Sequence, residues 1–166
     1  MIKNGIFYIL VLVGVFSKAQ SPIEHFLNVH TEKKIPYVSV TEARMFQLQD
    51  NALFLDARER KEYEVSAIPS AKFIGYSTFS SEDITKNIAN KDQLIIVYCS
   101  LGIRSSNIAK KLKNLGFSNV KNLYGGIFEW KNNGYPVLNS EGEETEKVHT
   151  FSKAWEKYLE SGIKIN

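Results

Sequence analysis

Cysteine occurs once in this chain of 166 residues, so Cys99 cannot close a disulfide within it. Histidine is nearly as scarce: His25, His30 and His149 are scattered. With a single thiol they lack the spacing of a metal site, and no metal is expected. No glycine-rich phosphate loop and no dinucleotide fingerprint occurs, so the chain calls for no cofactor. There are no internal repeats. A dominant charge is missing too. The 21 Lys+Arg stand against 18 Asp+Glu, and of the former Lys3 and Lys18 fall in the opening Met1–Ala19, which holds no acid. The remainder is close to neutral and shows no basic cluster interleaved with aromatics, which argues against nucleic acid as a partner.

Long hydrophobic runs are absent except at the start. Ile6–Phe16 is almost unbroken and apolar over eleven residues, whereas a bilayer span takes about 20. Lys3 before it and Ser17-Lys18-Ala19 after it complete the pattern of a secretory signal peptide cleaved after Ala19. No cysteine follows, which excludes a lipoprotein anchor. The expectation is an exported bacterial protein, periplasmic or secreted, with no stable membrane insertion after cleavage. Gln20–Asn166 suits one domain with a proper core. In an exported protein a leftover thiol reads as reactive or intermolecular rather than as packing.

What is present is a regular alternation. A polar lead-in over 20–36 precedes a strand at Tyr37–Val40, and Thr41 is expected to cap a helix over Glu42–Leu48 with Ala43, Phe46 and Leu48 inward. Further strands are expected at Ala52–Leu55, Ala71–Ile74, Leu94–Tyr98 and Val120–Tyr124. Between them fall helices at Glu59–Glu64, after Ser81, and after the loop that Cys99 opens, ending at Gly116, where Ser105-Ser106-Asn107 supply capping residues. Gly125-Gly126 leads into a last helix at Ile127–Asn132. Strands alternating with helices predict an α/β fold: a five-stranded parallel sheet with helices on both faces. Residues 139–150 read as an acidic linker. Phe151, Ala154, Trp155, Tyr158 and Leu159 share one helical face, so an extra C-terminal helix over 151–161 is expected to dock on the domain.

In such sheets ligands bind beyond the carboxyl ends of the strands, and Asp56 and Cys99 both stand there. A thiol at the mouth of a strand-loop-helix unit faces unpaired backbone N–H groups and the positive end of the helix dipole. These donors stabilise an anionic sulfur, the reactive form, and equally a second anionic atom attached to it.

Four segments in order then resemble the single-domain rhodanese family: Leu55-Asp56-Ala57-Arg58-Glu59 with Glu62-Tyr63; Ala67-Ile68-Pro69-Ser70-Ala71; the Cys-x-x-Gly-x-Arg loop Cys99–Arg104 with Ser105; and Tyr124-Gly125-Gly126 with Trp130, Gly134, Pro136 and Val137. The resemblance spans about Val38 to Val137, which sets the domain at 37–138. It implies a sulfurtransferase in which Cys99 takes a sulfane sulfur from thiosulfate or a persulfide and passes it to cyanide, a thiol or an acceptor protein. Backbone amides of Ser100, Leu101, Gly102, Ile103, Arg104 and Ser105 would cradle the sulfur. Gly102 would let the loop curl around it. Arg104 would either meet an anionic donor or clamp the loop. Asp56 and Arg58 would be architectural, with Arg58 paired to Glu62 at helical spacing. The chain departs from the family at Ser66-Ala67, at Ser70, and at Ser100-Leu101, where thiosulfate-using members often carry a basic residue. Less positive charge then faces a dianionic donor.

Two other readings compete. Cysteine phosphatases sharing this sheet have five residues between cysteine and arginine, where four stand here, and phosphate needs the wider cradle. A sulfur carrier or binding module would load Cys99 but seldom turn over.

Overall fold

The computed structural model describes residues 35–166 together with Ile23 and Leu27. The expected signal peptide lies outside the described residues. Five parallel strands form one sheet in the order β1-β5-β4-β2-β3, with β1 at Tyr37–Val38, β2 at Leu53–Asp56, β3 at Lys72–Phe73, β4 at Ile95–Tyr98 and β5 at Val120–Leu123. Against the sequence expectation β2 is shifted by one residue toward Asp56, and the other four are shorter by a residue or two.

The strand period of two assigns side chains to faces. In β4, Ile96 and Tyr98 join a cluster with Phe54, Ala43, Ile127, Phe128 and Trp130. Its alternate residues Ile95 and Val97 join another with Leu55, Ile84, Ile88, Ile108, Ala109 and Leu112. Helix α1 (Val40–Leu48) therefore covers the first face, with α5 (Gly126–Asn132) beside it; α3 (Ser81–Asn87) and α4 (Ile103–Asn114) cover the second. A short α2 (Arg60–Val65) leads from β2 to β3. Trp130 is fully buried; its Nε1 donates to the Pro136 carbonyl at 2.9 Å and its ring meets Phe54 edge-on.

Some local expectations shift. Ser39 caps α1 through the Glu42 N–H, so the helix starts before Thr41, and Leu48 ends up 70 % exposed. Ser80 caps α3 through the Asp83 N–H. Helix α4 begins at Ile103, so Ser105 and Ser106 lie inside it as buried residues rather than caps. The lead-in contributes Ile23 and Leu27 to the core.

The chain beyond 138 departs most from expectation. The supposed linker 139–150 is folded: β6 (Val137–Leu138) pairs antiparallel with β7 (Glu144–Thr145), and β8 (Lys147–His149) pairs in parallel with β9 (Ile163–Ile165). Its charged residues misled because Glu144 of β7 and Lys147 of β8 stay exposed while Val148 and His149, which follow them, are buried. The C-terminal helix exists as a six-residue 3-10 turn, Lys153–Tyr158. At three residues per turn the supposed apolar stripe no longer lines up. Tyr158 and Leu159 reach the core, while Phe151 stays 41 % exposed in a left-handed backbone at φ 65°.

Candidate active site

Register places the two rim residues together. Asp56 of β2 pairs with Tyr98 of β4, and Cys99 is the next residue, so both stand at the carboxyl edge of adjacent strands. Cys99 is fully buried.

The loop after it is held by its carbonyls. The Cys99 carbonyl accepts from the Ile127 N–H at 2.9 Å and the Ser100 carbonyl from the Phe128 N–H at 3.2 Å, both in the first turn of α5. The Gly102 carbonyl accepts from Asn122 Nδ2 at 2.8 Å, and Asn122 Oδ1 accepts from Ser105 Oγ at 2.7 Å. With these oxygens engaged elsewhere, the Gly102 N–H donates to Cys99 Sγ at 3.1 Å. Gly102 does this at φ 122°, a backbone open to glycine and rarely to other residues. Leu101 is an anchor, fully buried in the core, and Ile103 opens α4.

Arg104 clamps the loop. Its Nη1 donates to Glu62 Oε2 at 2.6 Å and its Nη2 to Glu62 Oε1 at 2.8 Å. Ser100 completes a triangle, donating to Glu62 Oε1 at 2.9 Å and accepting from Arg104 Nη2 at 2.9 Å. The Glu59 N–H adds another donor at 3.0 Å, so this fully buried carboxylate is well satisfied. Burial works to raise the Glu62 carboxyl pKa, but the Arg104 hydrogen bonds and charge outweigh it and hold the group below its ordinary value. Burial likewise works against the charged Arg104, and Glu62 with Cys99 more than offsets it, leaving the guanidinium pKa raised. Arg104 Nε has no hydrogen-bond partner among the described residues.

The anticipated Arg58–Glu62 pair does not form. Arg58, fully buried, instead takes Asp56: Nε reaches both carboxylate oxygens at 3.0 and 3.1 Å and Nη2 reaches Oδ2 at 2.6 Å. Its backbone N–H also donates to Asp56 Oδ1, and its Nη2 to the Ser66 carbonyl. Burial opposes the charge on Arg58, and Asp56 reverses this to leave its pKa raised. The pair stands beneath the rim: Arg58 lies 5.6 Å from the Tyr98 ring centroid, and Tyr98 Oη accepts from the Ile68 N–H.

Three contributors escaped the sequence reading. Glu62 stood in the motif but was given the wrong partner. Asn122 had one signal, an amide inside an apolar strand. His149, expected at the surface, is 4 % exposed beside α2, its Nδ1 accepting from the Phe151 N–H at 2.9 Å. Burial, then the charges of Lys61, Arg58 and Arg104 against that of Glu62, lower its pKa. His25 and His30 lie outside the described residues. Among the described residues no group of three or more His, Cys, Asp or Glu side chains could hold a metal.

The chain matches the Rhodanese-like domain family over residues 40–133, more than half its length, and belongs to that family. It is 34% identical over 109 residues to the tRNA uridine(34) hydroxylase of Escherichia coli (strain K12 / DH10B), covering 61% of this chain and 31% of that protein. It thus spans about a third of the length of that curated relative. Among solved structures, the BH2092 protein of Bacillus halodurans superposes with a TM-score of 0.57 at 26% identity, covering 71% of this chain and 84% of that one. The thiosulfate sulfurtransferase of Pseudomonas aeruginosa shares the fold, with a TM-score of 0.58 at 22% identity over 66% of this chain and 21% of that one.

The depressed carboxyl of Glu62 carries a pH consequence. A group whose folded pKa lies below its unfolded value stabilises the fold above the unfolded value, and this is lost as pH falls through the folded one. Stability should therefore decline below about pH 4.5, the ordinary value for this side chain. Urea midpoints between neutral and acid pH check it. In Glu62→Gln the buried Arg104 charge loses its counter-charge; we expect a loss of about 2–4 kcal/mol at neutral pH and a shallower acid slope. An acid slope as steep as the parent's would remove Glu62 as its source.

Proposed function

We propose that this protein is a sulfurtransferase working through a Cys99 persulfide. The observation that carries the reading is the loop itself: a buried cysteine at the end of β4, its sulfur accepting the Gly102 N–H, at the head of α4. The Cys99 thiolate attacks the sulfane sulfur of a donor such as thiosulfate or a persulfide. The donor's S–S bond breaks, and sulfite or a thiolate leaves with the electron pair. An acceptor, cyanide or a thiol, then attacks the outer sulfur and leaves as thiocyanate or a new persulfide, returning the Cys99 thiolate. Amides at the helix head stabilise the anion at each stage. Arg104, Glu62 and Ser100 hold the loop in shape. Export of Gln20–Asn166 to the periplasm or beyond, and an acceptor protein there, complete the proposal.

The test is thiocyanate formation from thiosulfate and cyanide, with intact mass recorded after donor alone. One added sulfur in the parent and turnover reduced to background in Cys99→Ser are expected. Neither sulfur addition nor turnover with several donors would sink the reading. The full burial of Cys99 favours a second one, a carrier that loads and delivers without rapid turnover. Loading without thiocyanate formation would select it.

A further inference from the structure

The C-terminal segment lies on the rim of the site. Strand β8 packs against α2, which carries Glu62, and the turn after it presents Phe151. The Phe151 ring sits 4.6 Å from the Arg104 guanidinium carbon. The turn is held firmly. The Thr150 N–H donates to the Ile165 carbonyl at 2.7 Å, the Phe151 N–H donates to His149 Nδ1, and the ring leans on Trp155 at 4.7 Å. Phe151 takes this place at φ 65°, a backbone that costs a bulky residue of order 1–3 kcal/mol and persists only where the surroundings impose it. An aromatic ring partly exposed over a cation, on strained backbone, beside a fully buried nucleophile is an arrangement with a use.

Little positive charge remains for a donor to meet. Arg58 is committed to Asp56. The Nη groups of Arg104 are committed to Glu62 and Ser100, and Phe151 lies over the guanidinium. Among the described residues the guanidinium donors left without a partner are Arg104 Nε, in a side chain about nine-tenths buried, and Arg58 Nη1, in a side chain with no exposure at all. A dianionic donor such as thiosulfate needs an accessible cation. A persulfide with an uncharged tail needs only contact between its sulfane sulfur and Cys99.

We propose that Phe151 selects the sulfur donor: by covering Arg104 it turns the site away from dianionic thiosulfate and toward thiol persulfides. The selection rests on the sulfurtransferase reading. The cover over Arg104 does not, and the experiment separates them.

Cys99, the one thiol in the chain, is alkylated with iodoacetamide and with iodoacetate. In each reaction its sulfur displaces iodide, and the reagents differ in charge. In Phe151→Ala the iodoacetate rate should rise relative to the iodoacetamide rate by up to about fivefold, the limit for one cation close to an anion in water, with the paired Glu62 offsetting part of it. Phe151→Leu, which keeps bulk without the ring, should fall between. The same variants are assayed with thiosulfate and with mercaptoethanol persulfide. KM for thiosulfate should fall in Phe151→Ala by a similar factor, with kcat changed less, and kcat/KM for the persulfide should move less than about twofold. An unchanged alkylation ratio in both variants overturns the cover. A changed ratio with the two donors' kcat/KM moving in step overturns the selection and leaves the cover standing. A changed ratio with no sulfur transfer by parent or variant retains the cover and fails the sulfurtransferase reading.

Discussion

Asp56→Ala should be among the most damaging single changes in this protein, although Asp56 makes no hydrogen bond to Cys99. It removes the counter-charge of Arg58, a guanidinium with no exposed surface, together with the hydrogen bonds from its Nε, its Nη2 and its backbone N–H. Arg58 would keep the Ser66 carbonyl, while its Nη1 has no partner among the described residues even in the parent. Breaking a buried ion pair from one side costs roughly 3–5 kcal/mol, since the remaining charge stays out of water. Thermal unfolding should fall by on the order of 10 °C. Replacing both partners with apolar residues, as in Asp56→Leu with Arg58→Met, should recover much of this, because no unpaired charge remains. If the single variant melts within a few degrees of the parent, the pair contributes little to the fold.

Gly126→Ala should be comparably severe and should strike the loop directly. A Cβ at this position would lie 2.3 Å from the Cys99 carbonyl oxygen and 2.7 Å from that of Ser100. Both atoms are backbone, so no side chain can swing away; either α5 or the loop must move. The residue also stands at φ 57°, where a side chain adds strain. Overpacking and strain together amount to about 2–4 kcal/mol. Movement here also breaks the bonds from the Ile127 and Phe128 N–H groups that hold the two carbonyls, so sulfur loading of Cys99 should fall well beyond what the stability loss explains. Gly134→Ala is the control. It shares a positive φ of 74° but has none of the described residues within 4 Å of the new carbon, so it should cost about 1 kcal/mol and leave loading unchanged. Equal loading in the two variants would separate the α5 contact from the shape of the cradle.

Both outcomes bear on how the site is built. The thiol is placed by a strand end and a curled loop, the loop is fastened by α5 and Asn122, and its far end is clamped by Glu62. The chain's departure at Ser100 takes on meaning in this setting. Its hydroxyl bridges Glu62 and Arg104 in a space with no exposure. A basic side chain there would need a different clamp, so Ser100 belongs to the architecture rather than to donor binding.

The sequence alone determined the alternation of strands and helices, the parallel sheet, Cys99 at a strand end and Gly102 in its loop. These are local properties: β-branched apolar runs, helical periodicity, and glycine where a side chain would obstruct the turn. Tertiary structure decided the partners. Arg58 and Glu62 are four apart and looked paired, but such spacing is worth only about 0.3–0.5 kcal/mol at a surface. Once both are buried, each must take the partner with the best bidentate geometry. For Glu62 that partner is 42 residues away. The end of the chain was decided the same way. Phe151, Tyr158 and Leu159 fit a helical stripe on paper, yet docking Val148, Tyr158 and Leu159 into the core and pairing β8 with β9 left the segment a 3-10 turn. Phe151 was thereby turned out over Arg104. No local pattern carries that placement, because it depends on which distant residues share the burial.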